Sequence, residues 1–387
     1  MAFVLTATVY LAFVGLGFPV ALLGSAWPSM HTDFLLPIAF SGYLNIMLSG
    51  GNICASIFVE RIVKKTGTGK LVAISTGMIS LAMFGFSHAR MPWQLFLFAA
   101  IYGLGAGGID VSINNYLAVN MSYRHLSWSH GIWGISAFSS PFIMSWALQH
   151  KNWRFGYQIV GVIMLVMFLY FVLTLRVWKT GSGERDVTKQ PVLGLRSALK
   201  LDGIINRLVA VSAYAAISTL CQLWPSSYMV YAKQFTQERA AAFASLFFIG
   251  MTIGRFGFGL ISDKLTHRRV IYIGSGIILA GILMISVPYQ FQFAIVAGFL
   301  SIGIGCSQIF PSFVRSSKDV YGVEKSQAVV GVQFGMASLS SLILPSVLGP
   351  VVDRFGIHLF PVILLVLLFT MLWFSNGKQL KRVLPLQ

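Results

Sequence analysis

Charge is what this sequence has little of. Asp, Glu, Lys and Arg make up 10% of its 387 residues, and 11 residues in all are acidic. A soluble domain carries roughly 25% charge. Cysteine is scarcer still: Cys54, Cys221 and Cys306 show neither disulfide nor metal-ligand spacing, and each falls in an apolar run. No nucleophile–base–orienter set and no metal-binding cluster can be read, so an enzyme is not expected and no cofactor is called for. Met1–Ala26 lacks the basic n-region and small-residue cleavage site of a signal peptide, and reads as a retained first helix.

Apolar surface is what the chain has instead: 56% hydrophobic residues and a mean hydropathy of +0.77. Runs of about 20 apolar residues, each able to cross ~30 Å of hydrocarbon, recur to the end. Twelve spans are expected, at 3–26, 37–59, 71–88, 93–118, 127–148, 155–175, 208–231, 240–262, 270–288, 291–314, 327–350 and 357–375. The fold class is therefore an all-α polytopic membrane protein. The longest polar segment, Arg176–Asn206, divides it into an N-terminal six-helix bundle (1–176), a linker (177–206) and a C-terminal six-helix bundle with a short tail (207–387).

Most of the 28 Lys and Arg residues fall on one set of alternate loops, including Lys64, Lys65 and Lys70 after span 2 and Arg207 before span 7. The positive-inside rule then places both termini in the cytoplasm, in a cell or bacterial inner membrane. It also accounts for the net charge of +17, with anionic lipid heads rather than nucleic acid as the counter-charge.

Asp110 is the exception to this arrangement, a carboxylate deep in span 4 with no Lys or Arg near it in sequence. At bilayer depth an acid costs about 2.5–3.5 kcal/mol. It is either a titrating group on a transport route or a structural acid hydrogen-bonded to Asn114, which shares its face at i+4. His130, near the start of span 5, is either a proton relay or an interfacial histidine bonded to backbone. Trp133, one turn on, either packs on a solute ring or anchors at the membrane edge.

The halves repeat at an offset near 200 residues. Gly103-Leu104-Gly105 is echoed by Gly303-Ile304-Gly305, Glu60-Arg61 by Asp263-Lys264, and Pro141 with Arg154-Phe155-Gly156 by Pro345 with Arg354-Phe355-Gly356. Six helices repeated in parallel is a transporter design, with the substrate site at the repeat interface. Under the repeat Asp110 maps to Phe310, so the second half offers uncharged groups instead. Tyr214, Ser218 and Gln222 line one face of span 7, followed by Trp224 and Tyr228. Gln308, Gln333 and, in the first half, Asn45 are further candidates. Amides and hydroxyls suit a neutral polar solute, although each is equally readable as an interhelical hydrogen bond.

The segment Gly259 to Arg269 after span 8 is similar to the loop signature of the major facilitator superfamily, G-x-x-x-D-R/K-x-G-R/K-R/K, with Thr266 in place of the second glycine. Gly103-x-Gly105-x-Gly107-x-x-Asp110-x-x-x-Asn114 and His130-Gly131-Ile132-Trp133-Gly134 resemble its branch of proton-coupled fucose and glucose permeases. The glutamate that branch often carries in span 7 is absent; Ser218 stands there. The resemblance implies twelve helices in two bundles and a cytoplasmic gate of Arg255, Asp263, Lys264, Arg268 and Arg269, with Glu60 and Arg61 as a weaker copy. The expectation is a monomeric secondary transporter that moves a small polar solute, a sugar by resemblance, with protons through alternating access. A proton-driven exporter of drugs or metabolites is the alternative; a membrane sensor without transport ranks below both.

Overall fold

Inside a bilayer each backbone N–H and C=O must be satisfied within its own segment, which leaves the helix as the natural element for such a sequence. The computed structural model describes residues 2–121, 123–180, 198–261, 265–288 and 291–375, and among them the regular elements are all helical. In chain order these are α1 Ala2–Val20, α2 Leu22–Asp33, α3 Phe40–Thr66, α4 Thr68–His88, α5 Pro92–Asn120, α6 Tyr123–His150, α7 Trp153–Leu173 and α8 Ile204–Leu223. They continue as α9 Pro225–Tyr231, α10 Gln237–Ile261, α11 His267–Ser286, α12 Gln292–Cys306, α13 Ile309–Tyr321, α14 Val323–Phe355 and α15 Phe360–Ser375. Two units emerge: Met1–Arg185 with Phe235–Ser245, and Asp186–Gln234 with Leu246–Gln387.

Eleven stretches of the described residues are long and apolar enough to cross a membrane. They coincide with eleven of the expected spans. The other, 127–148, falls within α6, whose 28 residues include Arg124, His125, His130 and several serines. Three expected spans are each built from two helices. Pro19 lies just before the step from α1 to α2 at Ala21, and Pro225 opens α9 directly after α8. In the third, Pro311 has no N–H to offer the Ser307 carbonyl and its ring crowds that oxygen, so the ladder is interrupted between Cys306 and Ile309. Gly67 (φ +81°) ends α3 and Gly322 (φ +78°) ends α13, in a region that side chains with a Cβ rarely enter.

Lipid tails are as apolar as leucine, so helix association here depends on close packing rather than on escape from water. The glycines provide that packing, in the same way in both units. A Cβ on Gly103 of α5 would collide with the Leu48 carbonyl of α3, and one on Gly303 of α12 with the Phe247 carbonyl of α10. A Cβ on Gly105 would stand 2.7 Å from the Ser75 carbonyl of α4; on Gly305 it would stand 2.5 Å from the Gly274 carbonyl of α11. Gly51 against Ala100 and Gly250 against Leu300 repeat the relation from the partner helices. The repeat is thus one of helix joints as well as of letters.

One of its sequence markers does not carry over. Arg154-Phe155-Gly156 lies in the first turn of α7, with Gly156 against Met144, whereas Arg354-Phe355-Gly356 closes α14, with Gly356 at φ +94°. The offset has slipped at that corner. Pro141 and Pro345 do both lie inside helices.

Candidate functional site

In the first unit α5 packs against both α3 and α4, and its glycines sort the two faces. Gly103 and Gly107 meet α3, and Gly105 and Gly108 meet α4. At 100° per residue Asp110 and Asn114 follow Gly103 and Gly107 down the α3 side. Asp110 is half-buried, and its Oδ1 accepts a hydrogen bond of 2.8 Å from Asn114 Nδ2. The same amide nitrogen donates to the Asp110 backbone carbonyl at 2.9 Å. Among the described residues no cation forms an ion pair with this carboxylate. One oxygen is therefore held by a neutral amide.

Asn45 is buried in α3 and Trp133 half-buried in α6. The side chain of His130 lies outside the described residues. A contact that the sequence reading missed joins α1 to α6: Tyr10 Oη and His125 Nδ1 are 2.5 Å apart, with Trp128 edge-on to the imidazole. His125, two residues into α6 and outside the expected span 127–148, gave no sign of a tyrosine partner 115 positions away.

In the second unit Tyr214, Ser218 and Gln222 do line one side of α8. The Tyr214 hydroxyl donates to the Cys306 carbonyl at 2.9 Å, the residue at which α12 stops, and its ring stacks on Phe310. The tyrosine thus serves the interruption that Pro311 creates. Gln222 Nε2 donates to the Ser218 carbonyl (3.1 Å) and hydroxyl (3.3 Å), and both side chains are half-buried. Gln308, also half-buried, sits at the start of α13 beside the interruption. Trp224 and Tyr228 are buried against Phe360, and the Tyr228 hydroxyl donates to the Ile285 carbonyl at 2.8 Å. Gln333 is fully buried on α14; its Nε2 donates to Ser317 Oγ at 2.8 Å, and its Oε1 has no partner among the described residues. The α8–α14 seam is closed by Thr219 to Ser341 at 2.9 Å and Ser340 to the Ser212 carbonyl at 2.7 Å.

The expected gate is visible only in part. Asp263 and Lys264 lie outside the described residues, as does the Glu60 side chain. Arg61 is exposed, Arg255 half-buried, and Arg268 sits 5.6 Å from the Tyr272 ring centroid. Arg269 donates its backbone N–H to Thr266 Oγ1 at 3.3 Å. Thr266 is thus the N-cap of α11, which gives a local reason for a threonine where the signature has glycine.

Arg207 requires a correction. Read as an ordinary loop charge, it is 1% exposed, because α8 begins at Ile204 and carries it into the bundle. Its Nη2 donates to the Phe313 carbonyl, to Ser316 Oγ (2.6 Å) and to Ser317 Oγ (3.2 Å), while Nε and Nη1 lack partners among the described residues.

Comparison with known proteins gives a consistent picture. A family model described as Major Facilitator Superfamily matches residues 9–220 and 207–384. The glucose/mannose transporter GlcP of Bacillus subtilis is 20% identical over 76% of this chain and 75% of its own length. The gallate transporter of Pseudomonas putida is 22% identical over 70% and 67%. Among solved structures, a variant of the nucleoside transporter NupG superposes with a TM-score of 0.79 at 14% identity, covering 96% of this chain and 97% of that one. A D-xylose-proton symporter does so at 0.73 and 11%, with 97% of each chain covered.

Proposed function

We propose, because this chain belongs to the Major Facilitator Superfamily, that it is a transporter moving a neutral polar solute of the sugar class together with protons. The observation that carries this reading is Asp110, a half-buried membrane carboxylate held by one neutral amide and unopposed by a cation among the described residues. Such a group takes up and gives back a proton as the water-filled route to it opens on alternate sides. The second unit contributes Ser218, Gln222 and Gln308 as solute-facing donors and acceptors, with Asn45 and Trp133 from the first. In the conformation described, Tyr214, Trp224, Tyr228 and Gln333 serve mainly to hold helices together. Relatives at similar distance are named for glucose/mannose and for gallate, and the uncharged character of these groups supports the former class here. The protein works as a monomer in a cell or bacterial inner membrane with both termini cytoplasmic.

The decisive experiment uses purified protein in sealed vesicles with an imposed proton gradient. Uphill solute accumulation is expected for the wild type. Asp110→Asn should lose accumulation while retaining solute exchange at equal concentrations. Undiminished uphill uptake by that variant would remove Asp110 from the mechanism, and flux in the opposite sense would make the protein an exporter. A thermal-shift screen of sugars, polyols and organic acids then identifies the solute, since a ligand that binds the native state stabilises it.

A further inference from the structure

A cavity of about 660 Å³ opens in the second unit where α11 begins, α13 ends and α14 begins. His267, Arg315, Lys318 and Asp319 supply its charge. Asp319 Oδ2 lies 3.4 Å from His267 Nε2, a contact that offsets the acid's charge only when the imidazole is protonated. Arg315 and Lys318 are exposed, three residues apart on one helix face, and neither forms an ion pair among the described residues. Their turn is held from behind, because Arg207 bonds the Phe313 carbonyl and the hydroxyls of Ser316 and Ser317. Ile204, Leu208 and Val329 pack together where α8 meets α14. The remaining wall sets Leu265, Val314 and Val330 beside the uncharged polar Ser326 and Gln327.

We infer that this cavity is a binding site for a phosphate-bearing anion, with the headgroup of an anionic phospholipid as the source its walls favour. Arg315 and Lys318, two cations against the single carboxylate of Asp319, leave a net positive charge on a fixed helical turn, which matches a phosphodiester. Volumes of about 300–1,000 Å³ hold molecules larger than a bare ion. The valine and leucine wall accepts the glycerol and first methylenes that follow such a headgroup. Basic pockets between membrane helices bind lipid heads by this chemistry. The site involves neither Asp110 nor the Ser218–Gln222 row, so it stands or falls independently of the transported solute.

The test is thermal unfolding of the full chain in detergent, titrated with short-chain phosphatidylglycerol, short-chain phosphatidylcholine, and glycerol phosphate or inorganic phosphate. A saturable rise in Tm with phosphatidylglycerol but not phosphatidylcholine is expected. The Arg315→Gln/Lys318→Gln double variant should lose it, and Lys65→Gln/Lys70→Gln, which removes two exposed charges elsewhere, should keep it. An equal rise with glycerol phosphate or inorganic phosphate would support the phosphate site and make the source soluble. In unmodified protein a photoreactive phosphatidylglycerol should label the segment 314–330, which keeps the inference testable if the double variant fails to fold. Equal responses to both lipids with none to phosphate, a full response in the double variant, or labelling confined elsewhere would overturn it.

Discussion

At Arg207 a guanidinium lies 1% exposed, with a carbonyl and two hydroxyls on one nitrogen and two nitrogens unpartnered among the described residues. Truncation to Ala would leave a hole and unpaired oxygens, a loss of about 2–5 kcal/mol by analogy with other large-to-small changes in cores. Arg207→Met should recover most of that, because it refills the space and removes a buried charge lacking a carboxylate. Thermal melts of the two variants in detergent provide the comparison; equal melting of both would show that the refilled volume contributes nothing. The sequence hid this residue for a physical reason. Beside Lys200 and Asp202 it reads as loop, and only the fold brings Ser316 and Ser317 to it. Asp110 was legible for the opposite reason: its cost is set by depth in the membrane, which apolar run length alone reveals. Its bond to Asn114 followed from helical spacing.

Among the elements, α5 and α12 each set glycines against two neighbouring helices. Gly103→Val and Gly303→Val place side-chain carbons where carbonyls already stand, and each should cost about 1–3 kcal/mol through overpacking. Gly50, in α3, has open space where a Cβ would go, so Gly50→Ala should be neutral or gain up to ~1 kcal/mol of helix propensity. Unfolding midpoints of the three variants decide the matter; a harmless Gly103→Val would mean that α3 and α5 are not in backbone contact. Helix existence and order were readable from apolar runs. The interruption before Pro311 was not, because a proline in a membrane helix is compatible with a kink, a break or neither until its neighbours are known. The Tyr214 hydroxyl that serves the interruption was readable only as one polar residue on a face.

For the whole molecule, loop charge predicts orientation. In a background without native cysteines, a membrane-impermeant thiol reagent applied to intact cells should label a cysteine introduced at Asn152 and leave one at Thr66 unlabelled until the cells are opened. The reverse pattern would invert the topology. Family and architecture were within reach of the sequence, since repeated glycine triplets and the Gly259–Arg269 segment survive at the level of residues. Substrate was not, because the groups that would hold it are ordinary amides and hydroxyls, equally suited to joining helices. The gate was only partly accessible, since a latch depends on which charges meet, and spacing within one loop does not determine that.

The matching glycine joints carry one last implication. If α3, α4 and α5 lock together among themselves, and α10, α11 and α12 do likewise with the same carpentry, neither trio borrows its interlock from the other. A backbone severed within residues 181–197 would then yield two fragments, each bringing its own joinery to the bilayer and able to rebuild the carrier by association alone.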